Sequence, residues 1–120
     1  MKYYSPKVYN RIKKDRGTNK CFEGHIHDSR GEAGHCNQLQ ARRQGGEIKD
    51  FERQVTFALC VNGTRVCGHR VDFLVEYADG HKEVEEYKGF ATDTWDLKRK
   101  IFQAQYTNIP YNTIKPGRGS

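Results

Sequence analysis

Six acidic side chains fall between residues 72 and 86, although the chain as a whole is basic. They are Asp72, Glu76, Asp79, Glu83, Glu85 and Glu86, and the only lysine or arginine among them is Lys82. Most of these acids suit the exposed face of a hairpin. Asp72, however, stands between Val71 and Phe73, and aspartate is disfavoured inside a strand. Asp72 is therefore the acid of this group that most needs a chemical explanation.

Hairpin geometry predicts a partner for Asp72. A three-residue loop at 78–80, with Gly80 in the left-handed conformation, is a common connection between antiparallel strands. It pairs Tyr77 with His81 and places Asp72 directly opposite Glu86, with Cβ atoms about 4.5–5.5 Å apart. Two carboxylates at that separation repel each other unless one is protonated or a cation lies between them.

Lys88 follows Glu86 by two residues and therefore lies on the same face of its strand. The sequence thus predicts two acids and an amine at one point of a sheet. A two-residue loop at Asp79-Gly80 would instead oppose Asp72 to Tyr87 and remove the acidic pair. The predicted site consequently depends on the register of this hairpin.

Hydrophobic periodicity and turn signals predict the elements that position these residues. In chain order they are a strand at 20–27, a helix from Ser29 to Gly45-Gly46, strands at 51–60, 70–77 and 83–88, a helix capped by Thr92 or Thr94, and a strand at 109–115. In 51–60 the odd-numbered residues from Phe51 to Leu59 are expected on one face, with Gln54 on the other. Strict alternation is also expected in 70–77, with Val71, Phe73, Val75 and Tyr77 on one face and Asp72, Leu74 and Glu76 on the other. The order predicts an α/β fold with a mixed sheet.

Ser29 and Glu32 have the spacing of a capping box at the start of the first helix. This reading gives the Glu32 carboxylate a purely structural role. An alternative role for Glu32 arises from the family resemblance described next.

A strand aspartate (Asp72), a hairpin and then Glu86-Tyr87-Lys88, within an α-β-β-β-α-β order, resemble the PD-(D/E)XK nuclease superfamily. The resemblance extends to a group of small phage-encoded, Holliday-junction-resolvase-like endonucleases, and it covers about residues 22–103. The matching segments are 27–33, 46–48, 51–54, 70–73, Asp79-Gly80, 84–90 and Leu97-Lys98-Arg99-Lys100. One departure is Val71, which stands where many members of the superfamily have proline.

The resemblance implies a restriction-endonuclease-like core (αβββαβ), with a mixed sheet flanked by helices. It implies a nuclease domain at 21–115. Charge and composition predict a basic N-terminal arm at 1–20 and a flexible basic tail at 116–120. The activity that the resemblance implies is Mg²⁺-dependent endonucleolytic cleavage of DNA, with Mn²⁺ able to substitute and no small-molecule cofactor.

The resemblance also assigns roles to individual residues. Asp72, Glu86 and the backbone carbonyl of Tyr87 would bind the metal, which would polarise the scissile phosphate and supply an activated water. Lys88 would orient or deprotonate that water, or stabilise the transition state. Glu32 would help to bind a metal or its water, a role that does not exclude capping.

The net charge is consistent with an anionic partner. Lysine and arginine number 21 against 15 acids, giving a formal charge of +6 and a pI near 9.2. The residues expected to contact DNA phosphates are Lys13, Lys14, Arg42, Arg43, Lys98, Arg99 and Lys100. At least two of the last three are expected to be exposed. Such contacts give salt-dependent, largely sequence-independent affinity. Family analogy and small size favour branched DNA as the substrate and a homodimer as the active form.

Two other classes of protein are consistent with parts of the sequence. A non-catalytic, DNA-binding phage protein would need only the basic residues. A zinc-stabilised interaction module would use the Cys and His residues near 21–36 and 60–69, drawing ligands from both groups; reduced, half-buried thiols are the simpler explanation. No secretory signal or membrane-spanning stretch is recognisable, which predicts a cytoplasmic protein, in the host cell if it is phage-encoded.

Overall fold

The computed structural model describes residues 19–115 as two helices and a four-stranded sheet. The elements are helix α1 (Arg30–Gln44), strands β1 (Ile48–Val61), β2 (Thr64–Tyr77) and β3 (Lys82–Tyr87), helix α2 (Asp93–Gln105) and strand β4 (Tyr111–Ile114). The chain forms two compact units, divided in sequence between Arg42 and Arg43. Neither helix combines the length and apolarity that a membrane-spanning segment needs.

The sheet has the order β1-β2-β3-β4 and is mixed, as the sequence predicts. Antiparallel hairpins join β1 to β2 and β2 to β3, whereas β4 lies parallel to β3 after the crossover through α2. Asn62 and Gly63 form the first turn, with positive φ angles of 51° and 80°. Because this tight turn continues the pairing, β1 and β2 are longer than their hydrophobic patterns predict.

The β2–β3 hairpin has the predicted three-residue loop. Tyr77 N donates a hydrogen bond to His81 O at 2.9 Å, and Gly80 N donates to Tyr77 O at 2.9 Å. Gly80 has a φ of 92°, a conformation that only glycine adopts readily. The resulting register pairs Glu76 with Lys82 and Phe73 with Glu85. The predicted register is confirmed.

Helix α2 covers one face of the sheet around Phe102, which is fully buried. Its N-cap is Thr92, whose hydroxyl accepts a hydrogen bond from Trp95 N at 3.1 Å, so the first of the two candidate threonines is the cap. The core cluster beneath the helix contains Phe102 together with Leu59, Val71, Leu74 and Val84. Side chains of β2 (Val71, Leu74) and β3 (Val84) therefore lie on the face of the sheet that α2 covers.

The strict alternation predicted for β1 and β2 is wrong. Val71 and Leu74 share the core cluster under α2, although an uninterrupted strand would turn them to opposite faces. The interruption lies at Gln54, which has a φ of 56° and is flanked by the pairs Arg53–Phe73 and Val55–Val71. We infer that the strands change face here, where Gln54 stands opposite Asp72.

The predicted strand at 20–27 is also wrong. A single bridge joins Lys20 and Ile26, and between them the chain makes a tight turn in which Gly24 has a φ of 88°. Gly24 N donates to Cys21 O at 3.0 Å. The turn leaves too few residues for a strand ladder.

Several predictions of segment organisation lie outside the described residues. They concern most of the N-terminal arm, including Lys13 and Lys14, and the tail at 116–120.

Candidate functional site

Asp72 and Glu86 lie at the point where pairing between β2 and β3 ends. The last paired residues are Phe73 and Glu85, so one further step of the same register sets Asp72 opposite Glu86. There the Asp72 side chain replaces a backbone partner: its Oδ2 accepts a hydrogen bond from Tyr87 N at 2.9 Å. The Asp72 carboxylate is thereby held against β3, next to Glu86, the second acid of the predicted pair.

Glu86 is almost completely buried, with 3% of its surface exposed. Its Oε1 accepts a hydrogen bond from the hydroxyl of Tyr111 at 2.5 Å, and its Oε2 is 3.9 Å from Nζ of Lys88. Tyr111 begins β4, the parallel neighbour of β3. Burial, and then the carboxylates of Glu86 and Asp72, raise the pKa of the Tyr111 hydroxyl, which therefore stays protonated and donates to Glu86.

His69 extends this network. Its Nε2 lies 2.8 Å from the Tyr111 hydroxyl oxygen, and 3% of the residue is exposed. Burial, assisted by the positive charges of Lys98 and Lys88, lowers the pKa of His69 to about 4. The imidazole is therefore neutral near pH 7. Because the Tyr111 hydrogen points to Glu86, Nε2–H of His69 is the donor to the tyrosine oxygen.

Lys88 is positioned from two directions. Its backbone N donates to Ile114 O at 2.9 Å, which fixes the strand, and its Nζ lies 5.1 Å from the centroid of the Trp95 ring. A cation over an indole face is attracted by the ring quadrupole. The ammonium group is thus held beside Glu86 by an aromatic ring of α2.

The site combines two carboxyl groups with one ammonium group. The carboxyl groups belong to Asp72 and Glu86 and the ammonium group to Lys88, while His69 is neutral at pH 7. Carboxylate oxygens are the ligands that Mg²⁺ and Mn²⁺ prefer. The carboxyl groups of Asp72 and Glu86 therefore fit a hard divalent cation as ligands. Tyr87 is next to both acids, since it follows Glu86 in the chain and its backbone N bonds Asp72.

The predicted DNA-contacting residues of α2 differ in exposure. Lys98 and Arg99 are half-buried: Lys98 Nζ donates to Gly68 O at 3.2 Å, and Arg99 pairs with Asp96. Lys100 has 66% of its side chain exposed and lies 3.3 Å from Asp96. The expectation that at least two of the three are exposed is wrong. Lys98 is directed towards β2, and Arg99 bonds Asp96 in the first turn of its own helix.

The two arginines at the end of α1 have different surroundings. Arg43 is 3.1 Å from Oδ1 of Asp50 and lies over the ring of Phe51, 4.9 Å from its centroid. Arg42 is half-buried. A phosphate-contacting role for either residue stays a prediction.

Glu32 belongs to the first compact unit. Glu32 N donates to Ser29 Oγ at 3.0 Å, which confirms the Ser29 half of the predicted capping box. The carboxylate is buried, and its Oε2 accepts a hydrogen bond from His27 Nδ1 at 2.9 Å. A role for Glu32 at the Asp72–Glu86 site stays a prediction.

The same unit contains a cluster of thiols and imidazoles. The potential ligand atoms of Cys21, His25, His27 and Cys36 all lie within 4.8 Å of one another. The expectation that a zinc site would combine both Cys/His groups of the sequence is wrong for this cluster, since all four members come from the first group. A tight turn and the following helix bring them together.

Sequence reasoning did not find His69, Tyr111 or Trp95 as parts of the site. Strict alternation predicts His69 and Asp72 on opposite faces of β2. The change of face that we infer opposite Gln54 places them on the same face instead. Tyr111 reaches Glu86 only through parallel pairing of β4 with β3. Aromatic residues at these positions carry no spacing signal that sets them apart from core residues.

Comparison with known proteins gives a family. The family described as "Protein of unknown function (DUF1064)" matches residues 12–116, and the chain belongs to it. No curated protein and no solved structure matches the chain significantly.

Proposed function

We propose that this protein is a divalent-metal-dependent DNA endonuclease with Asp72, Glu86 and Lys88 at its active site. The observation that carries the proposal is the meeting of these side chains at the end of the β2–β3 pairing. Asp72 is anchored on Tyr87 N, and Lys88 Nζ is 3.9 Å from the Glu86 carboxylate. The resemblance of the α-β-β-β-α-β order and the Glu86-Tyr87-Lys88 motif to PD-(D/E)XK nucleases supports the same assignment.

Each residue has a definite task in this proposal. Asp72, Glu86 and the Tyr87 carbonyl hold Mg²⁺ or Mn²⁺, which when bound polarises a phosphate and lowers the pKa of a coordinated water. Lys88 orients the attacking water or stabilises negative charge that develops on the phosphate. Tyr111 and His69 are positioning residues, because they act on Glu86 through hydrogen bonds.

DNA is the substrate class that the charge distribution favours. The chain carries a formal charge of +6, which favours an anionic partner. Lys100 offers an exposed ammonium group on α2. Phosphate contacts of this kind position a duplex without reading its sequence. We propose recognition of DNA shape, with branched duplexes such as Holliday junctions as substrates and a homodimer that cuts two strands.

The test compares purified wild type with Asp72→Asn and Glu86→Gln on labelled linear, flapped and four-way-junction DNA, with Mg²⁺, Mn²⁺ or no divalent ion. Metal-dependent cutting is expected for the wild type only, and binding measured by fluorescence anisotropy in Ca²⁺ should be retained by both variants. Glu76→Gln is the matched control, because Glu76 is an acid of the same hairpin that pairs with Lys49 instead. Uncut DNA in every wild-type reaction, or full cutting by Asp72→Asn, would contradict the proposal.

A further inference from the structure

The cluster of Cys21, His25, His27 and Cys36 has the dimensions of a tetrahedral metal site. Its ligand atoms lie within 4.8 Å of one another, and His25 Nδ1 is 3.6 Å from Cys36 Sγ. Zinc bonds of about 2.3 Å to sulfur and 2.0–2.1 Å to nitrogen, at tetrahedral angles, separate ligand atoms by roughly 3.3–3.8 Å. Small side-chain movements would therefore complete the site.

The turn and the following helix bring the four ligands together, and none of the four has a positive φ. Cys21 N donates to His25 O at 2.9 Å, and Gly24 supplies the left-handed residue of the turn. This turn sets Cys21, His25 and His27 side by side. Helix α1 contributes Cys36, which is completely buried.

The surroundings of the cluster match the outer shell of a metal site. His27 Nδ1 is 2.9 Å from Glu32 Oε2, and the ring interacts with the thiols of Cys36 and Cys21. Because Nδ1 bonds the carboxylate, Nε2 is the ring nitrogen that would bind a metal. Carboxylate–histidine–zinc triads are built in this way. Gln40 Nε2 lies 3.4 Å from Sγ of Cys21 and 3.3 Å from Sγ of Cys36, where its N–H groups would stabilise thiolates.

Two of the proposed ligands are among the few hydrophobic side chains buried in residues 19–42. These side chains are those of Cys21, Ala33, Cys36 and Leu39. Both cysteines are free thiols, so no disulfide occupies the sulfur atoms.

We propose that Cys21, His25, His27 and Cys36 bind one structural Zn²⁺, with Glu32 and Gln40 supporting the ligands. Two thiolates and two imidazoles are the donors that select zinc over Mg²⁺ or Ca²⁺. Four protein ligands close the coordination shell, which is typical of structural rather than catalytic zinc. The site is independent of the nuclease proposal, since it shares no ligand with the Asp72–Glu86 pair.

The first test is the metal content of the full chain, purified without chelators from zinc-supplemented cells. One zinc per chain is expected for the wild type, and the same for Asp72→Asn, whose substitution lies in the other site. Replacement by Co²⁺ should give the visible d–d bands of tetrahedral cobalt and thiolate-to-cobalt charge transfer. A zinc content near zero, with no cobalt spectrum, would overturn the proposal.

Variants locate the metal. Cys36→Ser should lose the zinc, whereas Cys60→Ser and Cys67→Ser, which alter half-buried thiols outside the cluster, should retain it. Should Cys36→Ser fail to fold, Glu32→Gln gives an independent answer. It keeps all four ligands, and its zinc affinity, measured by competition with a chromophoric chelator, should fall about 10–100-fold. Full zinc retention by folded Cys36→Ser, loss in Asp72→Asn, or unchanged affinity in Glu32→Gln would each count against the proposal.

Discussion

The hydroxyl of Tyr111 donates a 2.5 Å hydrogen bond to the buried carboxylate of Glu86, and the two residues lie on neighbouring parallel strands. Tyr111 in turn accepts a hydrogen bond from the neutral imidazole of His69 on β2. Three strands thus contribute to the position of one acid. This arrangement explains how a nearly fully buried carboxylate is held in place in the sheet. Under the proposed function, it makes Glu86 sensitive to two residues outside the proposed metal ligands.

Removal of the Tyr111 hydroxyl should weaken the site without unfolding the protein. In Tyr111→Phe the Glu86 carboxylate loses this hydrogen bond, and we expect about 1–3 kcal/mol less stability in urea denaturation. The Mg²⁺ concentration for half-maximal cleavage should rise about 10–100-fold, as for other supporting partners of metal ligands. Tyr106→Phe is the matched control, since its hydroxyl bonds Ala58 O. Equal Mg²⁺ dependence in both variants would show that Tyr111 does not position Glu86.

The lowered pKa of His69 predicts a specific loss of stability in acid. In the unfolded chain His69 titrates near its ordinary pKa of 6.5, whereas in the fold, facing Lys88 and Lys98 and bonded to Tyr111, it titrates at about 4. Between these values the unfolded state binds more protons, so stability falls as the pH falls from 6.5 to 4. The full shift corresponds to about 3 kcal/mol.

His69→Gln isolates this contribution because glutamine retains an N–H donor towards Tyr111 and does not titrate. Urea unfolding of both proteins at several pH values between 7 and 4 measures it. The wild type should lose stability relative to the variant across this range. A constant difference between the two proteins would mean that His69 titrates alike in the folded and unfolded states.

Gly80 should determine the hairpin register through its backbone alone. Its φ is 92°, and a Cβ built there meets nothing within 4 Å, so Gly80→Ala adds strain without a clash. We expect a loss of about 1–2 kcal/mol in unfolding free energy. Gly34→Ala provides a control of opposite sign. That helical position is also open, and the substitution should stabilise the protein by about 1 kcal/mol. A neutral Gly80→Ala would argue against the left-handed turn.

Lys100 should contribute to DNA affinity more than Lys98 does. Lys100 is largely exposed, whereas the ammonium of Lys98 is committed to Gly68 O. Lys100→Gln should weaken binding about equally for all sequences and lower the slope of log K against log salt by about 1. Anisotropy titrations over a salt series measure this slope. A larger change in Lys98→Gln than in Lys100→Gln would reverse the assignment.

The features that the sequence predicted correctly rest on local chemistry. Gly80 permits one turn, and the turn dictates the register that brings Asp72 to Glu86. Thr92 and Ser29 cap their helices because each hydroxyl accepts a hydrogen bond from the backbone amide three residues later. Each of these interactions spans only a few residues, so the residue types at fixed spacing are enough to specify it.

Tertiary structure alone decided the remaining features of the site. The change of face that we infer at Gln54 shows only in which side chains share the core cluster under α2. It sets His69 on the side of Asp72, whereas strict alternation predicts opposite sides. The bond from Tyr111 to Glu86 joins strands separated by a whole helix. Likewise, Lys100 is more exposed than Lys98 because of the way in which α2 lies on the sheet. Such contacts join residues distant in sequence, and a local pattern carries no record of them.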